Sequence, residues 1–375
     1  MGGSAREILR LTMATAITNV TNVSARPARV STQSPLRRAW RRFRGNRLGY
    51  YSLLALIALF AISLLAEVLS NDKPLIARYD GQWYLPVFQT LPETTFGGDF
   101  PTPTDYLDPQ IRENLSKPGN FALYPPNPYH YKTINYFARS PSPAPPDSAN
   151  WLGTDDKGRD LLARLLYGFR LSLLFALIVA AVCTGLGVVY GALQGYFAGW
   201  ADIIMERMKE VWSAMPWLYM LIIFSALFAP SFTLLVVLIS VFGWMGLSNY
   251  VRAEFLKNRT LDYVRAAKAL GQSDRTIMWR HILPNSLTPV VTLIPFEMAG
   301  AIGALTSLDF LGLGVPTGTP SLGELLNQGK ENLDAWWISI STFGVLVIML
   351  LLLILIGDAL RDALDPRKVL EGDQP

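Results

Sequence analysis

Residues 171–194 read LSLLFALIVAAVCTGLGVVYGALQ, and this stretch decides the fold class of the chain. It contains no charged residue and exceeds the ~20 apolar residues that a helix needs to cross a bilayer. Because lipid offers no partners to backbone polar groups, such a run is stable there only as a helix. Three glycines recur along it and a fourth follows it directly, and they predict close packing against a neighbouring helix: Gly185, Gly187, Gly191 and Gly195.

The composition of the whole chain is also typical of a membrane protein. Hydrophobic residues make up 51% of the 375 positions and charged residues 17%, whereas soluble domains carry about 25% charged residues. The one cysteine, Cys183, lies inside the apolar run and cannot form an intramolecular disulfide. We interpret it as a packing residue.

Five more apolar segments are long enough to span a membrane, which predicts an all-α fold with six transmembrane helices. They lie at Tyr50–Leu69, Ile203–Phe228, Phe232–Tyr250, Leu287–Leu308 and Trp337–Leu360. The third span of the six has an unusually polar start, and Pro216 inside it predicts a kink. The first span begins too late and is too long for a cleaved signal peptide.

The distribution of Lys and Arg predicts the orientation. Residues 1–49 carry ten arginines and one acidic residue, and residues 251–285 carry seven basic residues against three acidic ones. The segment 71–160 carries eight basic residues against eleven acidic ones. Both termini and residues 251–285 are therefore predicted to be cytoplasmic, and the net charge of +4 requires no nucleic-acid partner. Arginines before the first span are expected to contact anionic lipid head groups: Arg37, Arg38, Arg41, Arg42, Arg44 and Arg47.

These features divide the chain into five parts. Residues 1–34 lack periodicity and are expected to form a disordered extension, followed at 35–70 by a basic anchor and the first span. Residues 71–160 form an outer insert with 14 of the 25 prolines and many tyrosines, which predicts a small ordered cap with little regular structure. Residues 161–365 are predicted to form the transmembrane core and 366–375 a C-terminal tail.

The segment 251–285 is long for a connection between spans, and its residues predict two short helices around a break. The first helix, DYVRAAKALG at 262–271, has Thr260 as its expected N-cap. An acidic first turn suits the helix dipole, and Gly271 fits the left-handed position that closes a helix.

A second helix is predicted from Ser273 as its N-cap to Pro284 as its end. Ala266 and Ala267 leave a smooth surface that another protein could approach closely. The plain alternative is a simple connector, although long loops in compact proteins are often functional. A DNA-binding helix-turn-helix is a further alternative, which a position between two membrane spans disfavours.

This segment resembles the cytoplasmic motif of ABC-importer permeases, which reads Glu-Ala-Ala, three residues, Gly, nine residues, Ile, one residue, Leu-Pro. The residues that match it are Ala266, Ala267, Gly271, Leu283 and Pro284. Arg265 stands in place of the family's Glu and His281 in place of its Ile. Both changes, and the Asn285 that follows the proline, are similar to the dipeptide and oligopeptide branch.

Two further motifs resemble the same branch. The run before the second span, WLGTDDKGRD at 151–160, supplies the motif residues Gly153, Thr154, Asp155, Gly158, Arg159 and Asp160. SLDFLGLG at 307–314, followed by GELL at 323–326, resembles the outer end of the branch's fifth span. The resemblance extends from about Arg37 to Lys368. The long insert is similar to the subgroup whose systems import oligopeptides and the peptide antibiotic microcin C.

The resemblance implies a type I, MetI-like importer permease core with an extra N-terminal helix and the outer insert. It implies a bacterial inner-membrane subunit that passes oligopeptides through a pore shared with a second, homologous permease. Two ATPase domains, separate or fused, and a periplasmic peptide-binding protein are the other implied partners. Since the chain has no GxxxxGK[ST] loop, it is expected to be no enzyme and to bind no cofactor, with ATP and Mg²⁺ held by partner subunits.

Candidate functional residues lie in the segment 251–285 and in the fifth span. Those implied to couple to the ATPase are Asp262, Tyr263, Arg265, Ala266, Ala267, Leu270, Gly271, Asp274 and Ile277. Glu297, near the middle of the fifth span, could line the translocation path or bond to a neighbouring helix, and Asp309 at the outer end could form a gate or contact substrate. His130 and His281 fall in different compartments, so no metal site is predicted.

Two alternatives stay open. A secondary transporter would usually show internal repeats and broken helices at mid-membrane, and neither is clear in the sequence. An ABC-importer permease for another cargo, such as a nickel chelate or an oligosaccharide, would share the same motifs because the binding protein largely chooses the cargo. A membrane hydrolase is poorly supported, since no Ser-His-Asp or Cys-His set is evident.

Overall fold

The computed structural model describes residues 35–136, 138, 140–316 and 318–364. The predictions of disorder at 1–34 and of a tail at 366–375 lie outside this part. Its helices are α1 (Pro35–Gly45), α2 (Arg47–Leu64), α3 (Ala66–Leu69), α4 (Pro109–Ser116), α5 (Leu161–Phe197), α6 (Gly199–Ser213), α7 (Trp217–Leu227), α8 (Phe232–Asn258), α9 (Asp262–Ala269), α10 (Asp274–Thr276), α11 (Leu283–Phe310), α12 (Leu322–Glu331) and α13 (Trp336–Leu364).

In the described part of the chain, five helical stretches are long and apolar enough to cross a membrane: α2, α5, α8, α13 and the continuous stretch Asp274–Phe310 that ends in α11. The third predicted span, Ile203–Phe228, consists of two helices, α6 and α7, which meet at 65°. Pro216 has an extended backbone and cannot continue a helix, so the predicted kink is a full break. With 11 residues, α7 is about 16 Å long and crosses a bilayer only together with α6.

Glycines allow α5 to pack closely against α8. A Cβ added at Gly191 would lie 2.4 Å from the carbonyl oxygen of Ser248, and one at Gly195 would lie 2.6 Å from that of Arg252. Gly187 faces the same seam, whereas Gly185 faces open space. The predicted packing role is therefore confirmed for three of the four glycines, because only these let the two backbones approach.

The bundle has two ends that differ in their neighbours. At the loop end, a cavity of about 460 Å³ brings Lys257 and Asn285 close to Arg361 near the end of α13. Phe43 packs on Ala359 of the same helix end. At the insert end, residues 71–160 meet α12 and the start of α5.

The insert contains a small antiparallel sheet with strand order β2-β1-β3, formed by β1 (Ile76–Tyr79), β2 (Gln82–Tyr84) and β3 (Phe121–Leu123). Phe96 is fully buried beside it and makes edge-to-face contacts with three tyrosine rings: Tyr79, Tyr84 and Tyr106. Aromatic contacts of this kind stabilise a small core. The described part of the insert packs around these aromatic residues, as predicted, and its few short strands and helices agree with the prediction of little regular structure.

Candidate functional site

The 251–285 loop forms two short helices around a break, as its sequence predicts. Asp262 lies in the first turn of α9, and Gly271 follows this helix with a φ of +74°, a left-handed conformation that glycine adopts without strain. Ser273 caps α10 by accepting a hydrogen bond from the backbone NH of Thr276 at 3.4 Å. The helix break and the roles of Gly271 and Ser273 are confirmed.

Two details of that prediction are wrong. Thr260 donates its hydroxyl to the carbonyl oxygen of Lys257 at the end of α8, and Leu261 occupies the N-cap position of α9. Pro284 does not end the second helix, because a π-helix at Ile277–Ile282 leads directly into α11 with Pro284 in its first turn. Proline is tolerated at such a position, where the missing NH removes little hydrogen bonding.

The predicted coupling residues divide into two groups by burial. Ala267 and Ile277 face inward and pack in one cluster with Tyr196 of α5 and Phe255 of α8. They offer no surface to another chain, which corrects their interpretation as contact residues. Helical periodicity explains the orientation, since Ala267 lies three residues after the fully buried Val264 and on the same face of α9.

The other predicted coupling residues are exposed: Asp262, Tyr263, Arg265, Ala266, Leu270, Gly271 and Asp274. Leu270 is 79% exposed although its side chain is large and apolar. A guanidinium nitrogen of Arg265 lies 3.8 Å from a carboxylate oxygen of Asp262, and solvent screens a pair this exposed almost completely. This face of the loop is thus partly apolar and only weakly held by its own chain.

The loop is fastened to the transmembrane helices by polar contacts that the sequence does not indicate. Tyr196, near the end of α5, donates its hydroxyl to Asp274, and its ring lies 5.2 Å from the Nζ of Lys268. Asp202 of α6 accepts two hydrogen bonds from Arg252 of α8, at 2.6 and 2.8 Å. In the polar start of the third span, Asp202, Glu206 and Lys209 thus face α5 and α8, whereas Arg207 and Glu210 are exposed and pair with each other.

His281 and Asn285, two further motif residues, also bond within the loop. His281 lies 2.6 Å from the side-chain oxygen of Gln272, and Asn285 donates to the carbonyl oxygen of His281 at 3.0 Å. Both contacts lie on the exposed side of the π-helix. They join the break after α9 to the start of α11.

At the insert end, a network of buried charges joins three parts of the chain. Asp155 accepts a hydrogen bond from Nε of Arg159 at 2.7 Å and lies 3.4 Å from Nη1 of Arg164. Arg159 and Arg164 also reach Glu324 of α12, at 3.2 and 2.7 Å. The side chains of Asp155 and Arg164 are fully buried. Two arginines near the start of α5 are thus held between a carboxylate of the insert and one of α12.

Asp160, the last residue of the same motif, is the N-cap of α5. Its carboxylate accepts hydrogen bonds from the NH of Ala163 and the amides of Asn127 and Asn150, at 2.7 to 2.8 Å. Burial raises the pKa of Asp160, and these three donors oppose the rise. Burial would also raise the pKa of Glu324, but Arg164 and Arg159 outweigh it and hold that pKa below its ordinary value.

The other residues of this motif shape the backbone. Gly153 and Gly158 have φ values of +82° and +78°. A Cβ at Gly153 would lie 2.7 Å from the carbonyl oxygen of Ala144, so this position requires glycine on two counts. Thr154 is buried and accepts a hydrogen bond from the NH of Ala144 at 2.8 Å. The motif therefore builds the joint between the insert and α5.

Asp309 is not placed as the predicted gate or substrate contact. Its carboxylate is buried, and it accepts hydrogen bonds from the NH of Val315 at 2.8 Å and from the hydroxyl of Ser321. A Cβ at Gly314 would lie 1.5 Å from one of its oxygens. Asp309 thus closes the turn between α11 and α12. Glu297 is half-buried, and among the described residues it has no hydrogen-bond or ion-pair partner, so its path role stays a prediction.

Comparison with known proteins identifies the family. A family model described as "Binding-protein-dependent transport system inner membrane component" matches residues 187–369, and "N-terminal TM domain of oligopeptide transport permease C" matches residues 34–88. The "Inner membrane ABC transporter permease protein YejE" of Escherichia coli (strain K12) is 49% identical over 339 residues, which cover 90% of this chain and 99% of that protein. This chain belongs to the same permease family.

Two further relatives are also named as permease proteins of transport systems. The "Peptidoglycan transport system permease protein YejE" of Agrobacterium fabrum (strain C58 / ATCC 33970) is 44% identical over 88% of this chain and 93% of its own length. The "Oligopeptide transport system permease protein OppC" of Mycobacterium tuberculosis (strain ATCC 25618 / H37Rv) is 35% identical over 66% of this chain and 84% of its own. The resemblance inferred from three sequence motifs is confirmed, and so is a multi-pass permease of the inner membrane. The relatives are permeases, a non-catalytic class of subunit.

Proposed function

We propose that this permease passes oligopeptides into the cytoplasm, together with a second, homologous permease, by alternating access driven by ATP. The exposed face of the 251–285 loop carries the proposal. It offers Tyr263, Ala266 and Leu270 to another protein, while the inner face is tied to α5 and α8. When a bound partner protein displaces such a loop, the displacement is transmitted to the membrane helices on which the loop packs.

The partners follow from this role. The chain lacks a phosphate-binding loop of its own, so two ATPase domains, separate or fused, dock at the loop end and hold the ATP and Mg²⁺. The loop end and both termini are then cytoplasmic, in agreement with the Lys and Arg asymmetry. The insert end faces the periplasm, where a peptide-binding protein delivers the cargo.

A second cargo is favoured by the name of the Agrobacterium relative, which describes peptidoglycan transport. Fragments of peptidoglycan contain short peptides, so both cargoes share a peptide portion. Competition separates them: if peptidoglycan fragments are the cargo, an excess of fragments will block peptide uptake far more effectively than an equal excess of unlabelled linear peptide.

The test is uptake by the whole importer in proteoliposomes with its binding protein. We expect uptake of a labelled oligopeptide to require ATP on the loop side of the membrane and to survive collapse of ion gradients. Uptake that ignores ATP but stops with the gradient would establish a secondary transporter instead.

Orientation is tested in cells that produce the importer, with single cysteines on a Cys183→Ala background. Ser116 and Thr260 are both exposed, in the insert and beside α9 respectively. In intact spheroplasts an impermeant thiol reagent should label Ser116→Cys and spare Thr260→Cys. The reverse pattern would overturn the proposed orientation.

A further inference from the structure

The 71–160 insert contains a cavity of about 770 Å³. Its walls come from four separate stretches, at 72–73, 103–112, 129–136 and 147–149. The volume lies within the range of about 300–1,000 Å³ that is typical of sites for small ligands. The cavity is separate from the buried arginine network and from the 251–285 loop.

Charged residues of both signs line this cavity: Asp72, Asp105, Asp147, Lys73, Arg112 and Lys132. Among the described residues, none of the six forms an ion pair within 4.0 Å. This differs from the insert-end network nearby, where each arginine has a carboxylate partner. Within the part of the chain that the structure describes, these six charges therefore have no ionic partner and are free to pair with the charges of a ligand.

Several of these charges are held in place by neutral groups. Asp72 accepts a hydrogen bond from the hydroxyl of Thr133 at 2.7 Å, and Asp105 accepts one from the NH of Leu107 at 2.9 Å. Arg112 donates to the carbonyl oxygen of Tyr106 at 3.2 Å. Fixed charges lose less conformational entropy when a ligand binds than free side chains do.

Tyrosines supply the remaining surface between these charges. Tyr106, Tyr129 and Tyr136 all line the cavity. Burial and the charge of Asp160 raise the pKa of Tyr129, which Arg112 and Asp147 also influence with opposite sign. Charges of both signs thus lie within electrostatic range of one ring, and this ring offers an apolar face between them.

We propose that this cavity binds an oligopeptide with free termini, on the outer side of the membrane. The proposal rests on the proposed function and adds to it a peptide site on the permease itself. The ammonium group of the peptide would meet the carboxylates, its carboxylate would meet Arg112 or Lys132, and the tyrosine rings would contact the chain between them. A simple anion would leave the carboxylates of the cavity without a partner, and a simple cation would leave its basic side chains without one. A zwitterionic chain can form ion pairs with residues of both signs.

The cavity lies next to the start of a transmembrane helix. Asn135 is part of its wall and donates to the side-chain oxygen of Asn150 at 2.7 Å. Asn150 in turn donates to Asp160, the N-cap of α5, at 2.8 Å. A peptide bound here would be linked to the N-cap of α5 through these two hydrogen bonds.

The test is calorimetric titration of the whole importer, without its binding protein, in lipid nanodiscs. The probe is trialanine with free termini, and N-acetyl-trialanine amide is the uncharged comparison. We expect saturable binding of trialanine and at least tenfold weaker binding of the blocked peptide. Lys132→Gln and Asp105→Asn should each weaken trialanine binding at least fivefold, because each removes one charge of the cavity.

Glu113→Gln is the matched control, since Glu113 is exposed on α4 but does not line the cavity. It should bind trialanine as the unmodified importer does. The proposal is overturned if trialanine shows no saturable binding up to several millimolar, or if the two cavity variants bind it unchanged. If those variants weaken only the binding of the peptide-loaded binding protein, the cavity is a protein-docking surface and the proposal is also wrong.

Uptake separates this proposal from the function on which it rests. An importer that transports peptides with its binding protein, yet binds no trialanine without it, would contradict only the peptide site. An importer that transports no peptide in the presence of ATP and the binding protein would contradict the proposed function, whatever the titration shows.

Discussion

The arginine network at the insert end and the exposed face of the 251–285 loop place their side chains in opposite environments. At the insert end, Arg164 is fully buried between Asp155 and Glu324, so its charge is balanced within the chain. At the loop end, Arg265 is exposed and only weakly paired, and Leu270 is 79% exposed. The arginine network at the insert end pairs its own charges, whereas the exposed face of the loop leaves a surface for another protein to cover.

A single helix connects these two ends. The 37 residues of α5 extend about 55 Å from the cap at Asp160 to the hydroxyl contact of Tyr196 with Asp274. Gly191 and Gly195 hold it against α8 along the way. A displacement of the loop therefore acts on a stiff element whose far end is fixed in the arginine network.

The largest effect on stability is expected for Arg164→Met. Methionine fills much of the volume but leaves the buried Asp155 without one of its cations and removes the 2.7 Å pair with Glu324. Removing one partner of a buried ion pair typically costs about 3–5 kcal/mol. The variant should show low membrane abundance and a clearly lower thermal unfolding midpoint in detergent.

Lys157→Met is the matched control for the buried arginine. Lys157 reaches the same carboxylate, at 3.5 Å from Glu324, but its side chain is about half exposed. An exposed pair contributes about 0–1 kcal/mol, so the midpoint should hardly change. Equal losses in the two variants would show that burial does not distinguish the insert end.

A pair of neighbouring alanines tests the loop end next. Ala267→Trp forces a large ring into the cluster around Tyr196 and Phe255, and overpacking of this kind costs about 1–3 kcal/mol. The side chain of Ala266→Trp projects from the exposed face, so this substitution should change the free energy of unfolding by no more than about 0.5 kcal/mol. Only Ala266→Trp should lose ATPase co-purification at normal abundance. If both variants are equally abundant and both keep the ATPase, the inner and outer faces of α9 are not distinct.

Acid should weaken the insert end through Glu324. The pKa of Glu324 is lowered because Arg164 and Arg159 outweigh its burial, so its ionised form stabilises the folded state. That stabilisation is present above the unfolded pKa of about 4.3 and is lost as the pH falls through the lower folded pKa. Unfolding midpoints measured from pH 7 to pH 3 should fall more steeply for the unmodified protein than for Glu324→Gln. Parallel curves would mean that Lys157 and the arginines gain nothing from this carboxylate.

The sequence predicted the features that depend on local pattern. Apolar runs located the long helices, the glycine spacing located the α5–α8 seam, and Gly271 located the break in the loop. The inward orientation of Ala267 was not predicted, although the apolar Val264 three residues earlier lies on the same helical face and is buried with it.

The missed contacts join residues that are distant in the chain. Arg164 and Glu324 are separated by 160 positions, and no local spacing relates them. From the sequence, Asp309 was interpreted as an unpaired acidic residue at the end of a membrane span. Its partner, Ser321, lies 12 positions later and precedes another helix, so local spacing did not indicate the contact. The bend after α6 was signalled by Pro216, but its size depends on how the two helices pack.

The smallest effect on stability, and the sharpest test of the comparison, is expected for two exposed leucines. Leu270 lies at the loop end and Leu333 at the insert end between α12 and α13, and they are 79% and 81% exposed. Because neither side chain is packed, Leu270→Ser and Leu333→Ser should each change the free energy of unfolding by no more than about 0.5 kcal/mol. Docking distinguishes them: a partner that covers Leu270 loses a buried apolar side chain, which is worth about 1.5–3 kcal/mol or roughly a 10- to 150-fold change in affinity. ATPase co-purification should therefore fall for Leu270→Ser and stay normal for Leu333→Ser. If the ATPase is retained equally by both, the exposed leucine of the loop marks no interface, and the contact must lie on the other exposed groups around Trp279 and Arg275.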